Sequence, residues 1–98
     1  MIIKNIIEQV ETANRPVAKI IKHSGNNKAI AIGLKKGMIW PDHKTSLPAM
    51  LIVADGRVIY REGNKTVELD KYDNFDIPVD ITHALEAQED SLCILLQG

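Results

Sequence analysis

Cysteine, aromatic residues and net charge are all scarce in this sequence. Its single cysteine, Cys93, cannot close an intramolecular disulfide, and we interpret it as a small buried hydrophobic residue compatible with a reducing compartment. Twelve basic against thirteen acidic residues leave a net charge of -1, which argues against nucleic acid as a partner. Neither an apolar run of about 18 residues nor a secretory leader is recognisable, so we expect a cytoplasmic protein without membrane contact.

Aliphatic residues and turn signals, by contrast, are abundant. Turn dipeptides such as Lys36-Gly37, Asp55-Gly56 and Gly63-Asn64 recur at short intervals and separate runs rich in valine, isoleucine and leucine. This spacing is typical of an all-β sandwich or barrel. The eight strands predicted in this way span residues 17–22, 28–34, 49–54, 58–61, 66–69, 74–77, 82–87 and 92–96.

One N-terminal segment departs from the β pattern. Asn5 and Glu8 have the spacing of a capping box, which predicts a short helix over residues 5–13. Its apolar residues Ile6, Ile7 and Val10 form a narrow stripe that suits docking on a sheet but not an independent helix. An edge strand is the alternative interpretation of this segment.

Two of the predicted strands are apolar on both faces. In residues 49–54 the alternation expected of a half-exposed strand is lost, and residues 92–96 have the same character. Both faces must then be covered, one by the barrel interior and the other by the helix or a second subunit. We therefore expect a homodimer.

Two stretches also have the spacing of a known pair of motifs. In the first, Gly37 is followed by five residues and then His43, with Thr45, Ala49 and Gly56 at fixed positions beyond it. This arrangement resembles the first motif of small single-domain cupins, in a variant in which His-Lys-Thr replaces His-x-His.

The stretch YDNFDIPVDITHALEA resembles the second cupin motif. Pro78 and His83 match that motif, whereas Tyr72, Asp80 and Ala87 replace two glycines and an asparagine. The resemblance implies an all-β, cupin-type double-stranded β-helix, a jelly-roll barrel with a short N-terminal helix. It further implies that residues 1–98 form a single domain, with the barrel core in 28–98 and the helix and first strand in 1–27.

The resemblance also implies where a metal would be held. A typical cupin binds Fe, Mn, Ni or Zn with three histidines and one carboxylate. At those positions this chain has His43 and His83, but also Thr45, whose hydroxyl is a poor ligand, and Ala49, which offers no ligand. We therefore expect no tightly bound cofactor, and at most a weakly bound divalent metal (Zn, Fe, Mn or Ni) on the two histidines.

Three interpretations of His43 and His83 stay open: structural residues hydrogen-bonded at the barrel mouth, polar anchors for an organic ligand, or metal ligands. Trp40 is either part of the core, which we favour, or a lid over the barrel mouth. We predict a small-molecule-binding protein whose pocket comprises His43, Thr45, Ala49, Leu51, Tyr60, Phe75 and His83. The alternatives are a metal-dependent enzyme of the oxygenase or isomerase type, with water or substrate completing the ligand set, and a dimeric scaffold without a ligand. No catalytic residue is assigned.

Overall fold

The computed structural model describes residues 1–98, with the exception of the side chain of Asp42. One helix and nine strands follow each other along the chain. They are α1 (Ile2–Val10), β1 (Val17–Ser24), β2 (Asn27–Leu34), β3 (Ile39–His43), β4 (Ala49–Asp55), β5 (Arg57–Glu62), β6 (Lys65–Asp70), β7 (Asn74–Ile77), β8 (His83–Ala87) and β9 (Ser91–Gln97).

The strands form two antiparallel sheets. The first sheet has the order β1-β2-β9-β4-β7 and the second the order β3-β8-β5-β6. Because β2, β9 and β4 are neighbours although they lie far apart in sequence, the chain crosses repeatedly between the two sheets, as in a jelly roll. The predicted all-β architecture with a short N-terminal helix is confirmed.

Strand β3 was missing from the sequence prediction, which gave eight strands. Its residues Ile39 and Trp40 pair with Glu86 and Leu85 of β8, and His43 pairs with His83. Pro41 lies in the middle of this strand, and proline is tolerated there because β3 is at the edge of its sheet. The proline is the reason why the apolar pattern of the sequence did not predict β3.

The N-terminal helix begins earlier than predicted. It spans Ile2–Val10 instead of residues 5–13, and the residue at its N-cap, Met1, makes no side-chain capping hydrogen bond, so the proposed capping box was wrong. Packing decides the position instead. Ile6 and Val10 are buried against β2 at Gly33, where an added Cβ would lie 2.8 Å from Cγ2 of Ile6.

The interior between the sheets is filled by one continuous hydrophobic cluster. The largest fully buried side chains include Tyr60, Ile32, Leu34, Leu51 and Val53. The cluster draws on both sheets, and Cys93 is buried in it as expected. Burial raises the pKa of the Cys93 thiol to about 12, so the sulfur stays protonated and unreactive at neutral pH.

Four turn positions of the two motifs share an unusual backbone conformation. Gly37 and Gly56 have φ values of 88°, and Tyr72 and Asp80, at the glycine positions of the second motif, have φ values of 76° and 60°. Residues with a Cβ rarely adopt a positive φ, because the side chain crowds the backbone. The turn geometry of the second motif is therefore present here without its glycines.

The outer face of the first sheet is apolar where β4 and β9 run side by side. Ile52 lies opposite Ile94, and Met50 opposite Leu96, and all four side chains are only partly covered. Helix α1 covers the neighbouring part of the same sheet through β1 and β2. Among the helices that the structure describes, none is long and apolar enough to cross a membrane.

Candidate functional site

His43 and His83 meet, as the spacing of the two motifs predicts. They are paired residues of the neighbouring strands β3 and β8, and their ring centroids are 4.2 Å apart with an angle of 58° between the planes. Cross-strand neighbours on one face of a sheet are the closest side chains that two strands can offer. The pairing of β3 with β8 is therefore what brings the two imidazoles together.

Both nitrogens of His43 are engaged in hydrogen bonds. Nδ1 lies 2.8 Å from the carbonyl oxygen of Pro41, and Nε2 lies 3.1 Å from the indole nitrogen of Trp40. A carbonyl oxygen only accepts and an indole N–H only donates, so Nδ1 must carry the proton and Nε2 must accept. His43 is thus held as the neutral tautomer, and its one free lone pair is already occupied.

His83 is more deeply buried and has one nitrogen engaged. Only 3% of its surface is exposed, and Nδ1 donates to the carbonyl oxygen of Ile81 at 3.0 Å. Burial lowers the pKa of His83 below its ordinary value, and the neighbouring His43 lowers it further, while the Ile81 carbonyl and Glu62 act in the opposite direction. His83 is therefore neutral at pH 7 and offers Nε2 as an acceptor.

An aromatic row continues from the histidines into the interior. The Tyr60 ring stacks on His83 at 5.5 Å and contacts Phe75 at 4.6 Å between centroids. The Tyr60 hydroxyl donates to Glu62 Oε2 at 3.1 Å, and burial, together with that carboxylate, raises the pKa of Tyr60 to about 12. Sequence reasoning missed Glu62, because only its hydrogen bond to Tyr60 distinguishes it from other surface carboxylates.

The remaining residues of the predicted pocket are packed or bonded elsewhere. Leu51 and Tyr60 have no exposed surface, so at these positions the interior has no room for a ligand beside them. The Thr45 hydroxyl donates to the Leu47 carbonyl and accepts from Gln97, and Ala49 pairs with Gln97 and Ile77 in the first sheet. Of the predicted pocket, His43 and His83 remain as the candidate polar groups.

Open space adjoins His43 on the other side, in a groove of about 710 Å³. The groove lies between β1 and β3, which are the edge strands of the two sheets. Its lining is mostly apolar, with one guanidinium and one imidazole: Arg15, Pro16, Ala18, Ile39, Trp40, Pro41 and His43. We call it the seam groove. No pattern along the chain predicts this groove, since Arg15 and His43 line it together only when the two edges face each other.

Trp40 packs against the core, which is the role that we favoured for it. Its ring is partly buried and packs against the core cluster, and it also lines the seam groove beside His43. Its ring lies edge-on to the His43 ring, with 5.8 Å between centroids. Trp40 therefore connects the packed interior to the accessible end of the histidine pair.

The site does not fit the metal that its fold implies. Among the side chains that the structure describes, no three histidine, cysteine, aspartate or glutamate residues are grouped so as to hold a metal ion. In addition, the lone pair of His43 that a metal would use already accepts the Trp40 indole N–H. This leaves Nε2 of His83 as one imidazole ligand, which is too few for the borderline metals of cupins.

Comparisons with known proteins agree on the architecture. Neither a protein-family model nor a curated protein sequence matches the chain. Among solved structures, a cupin superfamily protein from Desulfitobacterium hafniense superposes with a TM-score of 0.82 at 11% identity, over 94% of this chain and 85% of that one. KdgF from Halomonas sp. superposes with a TM-score of 0.77 at 22% identity, over 88% of this chain and 82% of that one.

A named enzyme is also among the similar structures. The DMSP lyase DddQ from Ruegeria pomeroyi superposes with a TM-score of 0.76 at 15% identity, over 89% of this chain and 48% of that one. At identities this low the likeness establishes the fold, and chemistry has to be argued from this chain's own residues. The chain has the cupin fold.

Proposed function

We propose that this chain binds a small organic acid in the seam groove, beside His43. The observation that carries the proposal is the groove itself, which adjoins His43. Its volume of about 710 Å³ lies in the range of about 300–1,000 Å³ that is usual for small-molecule sites. Mostly apolar walls with a few polar groups are likewise typical of such sites.

The lining residues favour a ligand with an anionic group and an apolar body. Arg15 makes no ion pair with the side chains that the structure describes, and a guanidinium binds a carboxylate through two parallel hydrogen bonds. Trp40, Ile39 and Pro41 provide apolar surface for the rest of the ligand. The lining of the groove therefore supports a carboxylate beside Arg15 and contact between Trp40 and the apolar body of the ligand.

The histidine pair has one nitrogen without a hydrogen-bond partner among the described residues, but it does not face the groove. His83 holds its proton on Nδ1, so its Nε2 is an acceptor, yet His83 is buried and is not among the residues that line the groove. Burial lowers the pKa of His83, so His83 does not supply a second positive charge. In this proposal Arg15 supplies charge recognition, and the apolar side chains of the groove supply the contact with the body of the ligand.

A metal-dependent enzyme has less support from the geometry. That alternative needs at least two imidazole nitrogens free to bind the ion, whereas the His43 lone pair is engaged by Trp40. The described acidic side chains do not complete a ligand set with the histidines. The enzymatic name of one similar structure belongs to that protein and does not decide the chemistry here.

Tryptophan fluorescence offers a direct test, because Trp40 is the only tryptophan and lines the groove. We would titrate the protein with benzoate and, as its uncharged counterpart, benzyl alcohol. A saturable change in Trp40 emission is expected with benzoate and a weaker one with benzyl alcohol. Replacing Arg15→Gln should weaken benzoate binding about tenfold, because charge-assisted hydrogen bonds are lost.

Lys19→Gln is the matched control. Lys19 lies on β1 one residue beyond Ala18, and neighbouring side chains of a strand point to opposite faces, so Lys19 points away from the groove. This variant removes one positive charge four residues from Arg15 and should bind benzoate like the unmodified protein. A lack of any saturable change with millimolar benzoate, or equal weakening by both substitutions, would contradict the proposal.

A further inference from the structure

We infer that Trp40 is the residue that makes the histidine pair select against divalent metal ions: its indole N–H occupies the position at His43 where a metal would bind. The inference concerns the same site as the proposed function and deepens it by naming what the site rejects. Its test uses metal ions alone, so it does not depend on which organic ligand the groove accepts.

The two histidines have the hydrogen-bond partners that are typical of metal-binding histidines. Nδ1 of His43 donates to the Pro41 carbonyl, and Nδ1 of His83 donates to the Ile81 carbonyl. Histidines that bind metals through Nε2 commonly donate their other ring N–H to a backbone carbonyl or carboxylate, which fixes the tautomer and the ring orientation. Both rings are therefore oriented and protonated in the way that metal binding through Nε2 requires.

What differs is the group in front of His43 Nε2. A neutral imidazole has one lone pair in the ring plane, and here it accepts the Trp40 indole N–H at 3.1 Å. A metal ion and an indole N–H cannot share that lone pair. Any metal that binds both histidines must first break this hydrogen bond and displace a ring that packs against the core.

An irregularity in β3 makes the contact between Trp40 and His43. Three steps along β3, from Trp40 to His43, correspond to two steps along β8, from Leu85 to His83. In a regular strand, side chains three residues apart point to opposite faces. One extra residue in β3 changes this parity, as in a β-bulge, and brings the Trp40 ring to the side of His43. The hydrogen bond from Trp40 to the lone pair of His43 therefore depends on the backbone geometry of β3.

Trp40→Phe is the decisive variant, because phenylalanine keeps an aromatic ring but has no N–H to donate. We would titrate both proteins with NiCl₂ and with ZnCl₂ by isothermal calorimetry in a buffer that does not bind metals. The variant is expected to bind Ni²⁺ about tenfold more tightly than the unmodified protein, the factor that corresponds to one ordinary hydrogen bond. Adding His83→Ala to Trp40→Phe should abolish the gain, since both imidazoles are needed.

Ile39→Ala is the matched control for the space in the groove. Ile39 is an exposed neighbour of Trp40 and lines the same groove, so its truncation widens the groove and leaves the indole hydrogen bond in place. Its Ni²⁺ affinity should equal that of the unmodified protein. Equal affinities in the unmodified protein and Trp40→Phe, or an equal gain in Ile39→Ala, would overturn the inference.

A measurement on the unmodified protein covers the case in which Trp40→Phe does not fold. Long-range proton–nitrogen NMR spectra distinguish the histidine tautomers, and at neutral pH His43 should be protonated on Nδ1 alone. The single indole N–H signal should exchange slowly with solvent and should persist when ZnCl₂ is added in slight excess. A proton on Nε2 of His43 would overturn the inference. If these results hold while benzoate fails to bind, only the proposed function is lost.

Discussion

His83 contacts two rings: the tilted His43 imidazole at 4.2 Å and the stacked Tyr60 ring at 5.5 Å between centroids. The arrangement places a buried titratable group next to His43, which lines the seam groove. With only 3% of its surface exposed, His83 cannot gain a proton without losing favourable interactions of the folded state. The stability of the fold should therefore respond to the pH at which His83 titrates.

Acidification should destabilise the protein through His83. Burial lowers the pKa of His83 below 6.5 in the folded state, so the unfolded chain takes up this proton more readily. The contribution of neutral His83 to the stability of the fold is fully present above pH 6.5. It is lost as the pH falls through the pKa of His83 in the folded state, because the unfolded state then binds more protons. Urea unfolding at about pH 7.5 and about pH 5.5 should give a lower free energy of unfolding at the acidic pH.

His83→Gln separates this effect from the other titrating groups. Glutamine has no charge at either pH, and its amide N–H can replace the hydrogen bond to the Ile81 carbonyl. The loss of stability between the two pH values should be smaller in this variant, although His23 and His43 are still present. An unchanged loss would show that His83 is not the source.

Glycine at Asp80 should stabilise the protein. Asp80 has a φ of 60°, which costs a residue with a Cβ about 1–2 kcal/mol, and glycine avoids most of that cost at the expense of a more flexible unfolded chain. We expect Asp80→Gly to raise the free energy of unfolding by about 0.5 kcal/mol or more in urea denaturation. Val79→Gly, at an ordinary backbone conformation in the same turn, should lower it instead.

A methyl group at Gly33 should disturb the docking of helix α1. The Cβ of alanine there would lie 2.8 Å from Cγ2 of Ile6, a fully buried side chain that has little space to move. Gly33→Ala should therefore lower the free energy of unfolding by about 1–3 kcal/mol. In the double variant with Ile6→Ala the two losses should be less than additive, because truncation of Ile6 removes the atom that clashes. Simple additivity would contradict the close approach.

The apolar outer face of β4 and β9 should bind a second copy of the chain. Ile52 and Ile94 lie opposite each other at the centre of this face and are only partly covered, and the face continues towards the exposed isoleucines of α1. A face without charged side chains at its centre matches its own surface in an antiparallel pair of copies. Light scattering at micromolar concentration should therefore give about twice the chain mass of 10.9 kDa.

Ile94→Lys tests the dimer, with Ile59→Lys on the other sheet as its matched control. A lysine at the centre of the face would have to be buried in the interface, so this variant should give the mass of a single chain. Ile59→Lys places the same charge on the other sheet, beside Glu68 and Glu86, and should leave the dimer intact. A monomeric mass for the unmodified protein would rule out the dimer.

Local pattern was sufficient to predict an all-β sandwich or barrel, whereas the cupin barrel and the meeting of the two histidines were implied by the resemblance to the cupin motifs. Turn residues such as Gly37 and Gly56 divide the chain into strands, and the spacing of two motifs places His43 and His83 on strands that pair. The turn conformation survives even where Tyr72 and Asp80 replace glycine. The turns and strands depend on short stretches of sequence, which is why the amino-acid order alone determined them, whereas the contact between the two histidines also needs the pairing of β3 with β8.

Contacts between distant parts of the chain determined the position of helix α1, the seam groove and the hydrogen bond from Trp40 to His43. Helix α1 takes its position from Gly33, and the seam groove joins Arg15 to His43 because two sheet edges face each other. The hydrogen bond from Trp40 to His43 depends on one extra residue in β3, counted against the residues of β8. The spacing of residues along β3 cannot show that one of them is extra, since the register of a strand is fixed only by the strand with which it pairs.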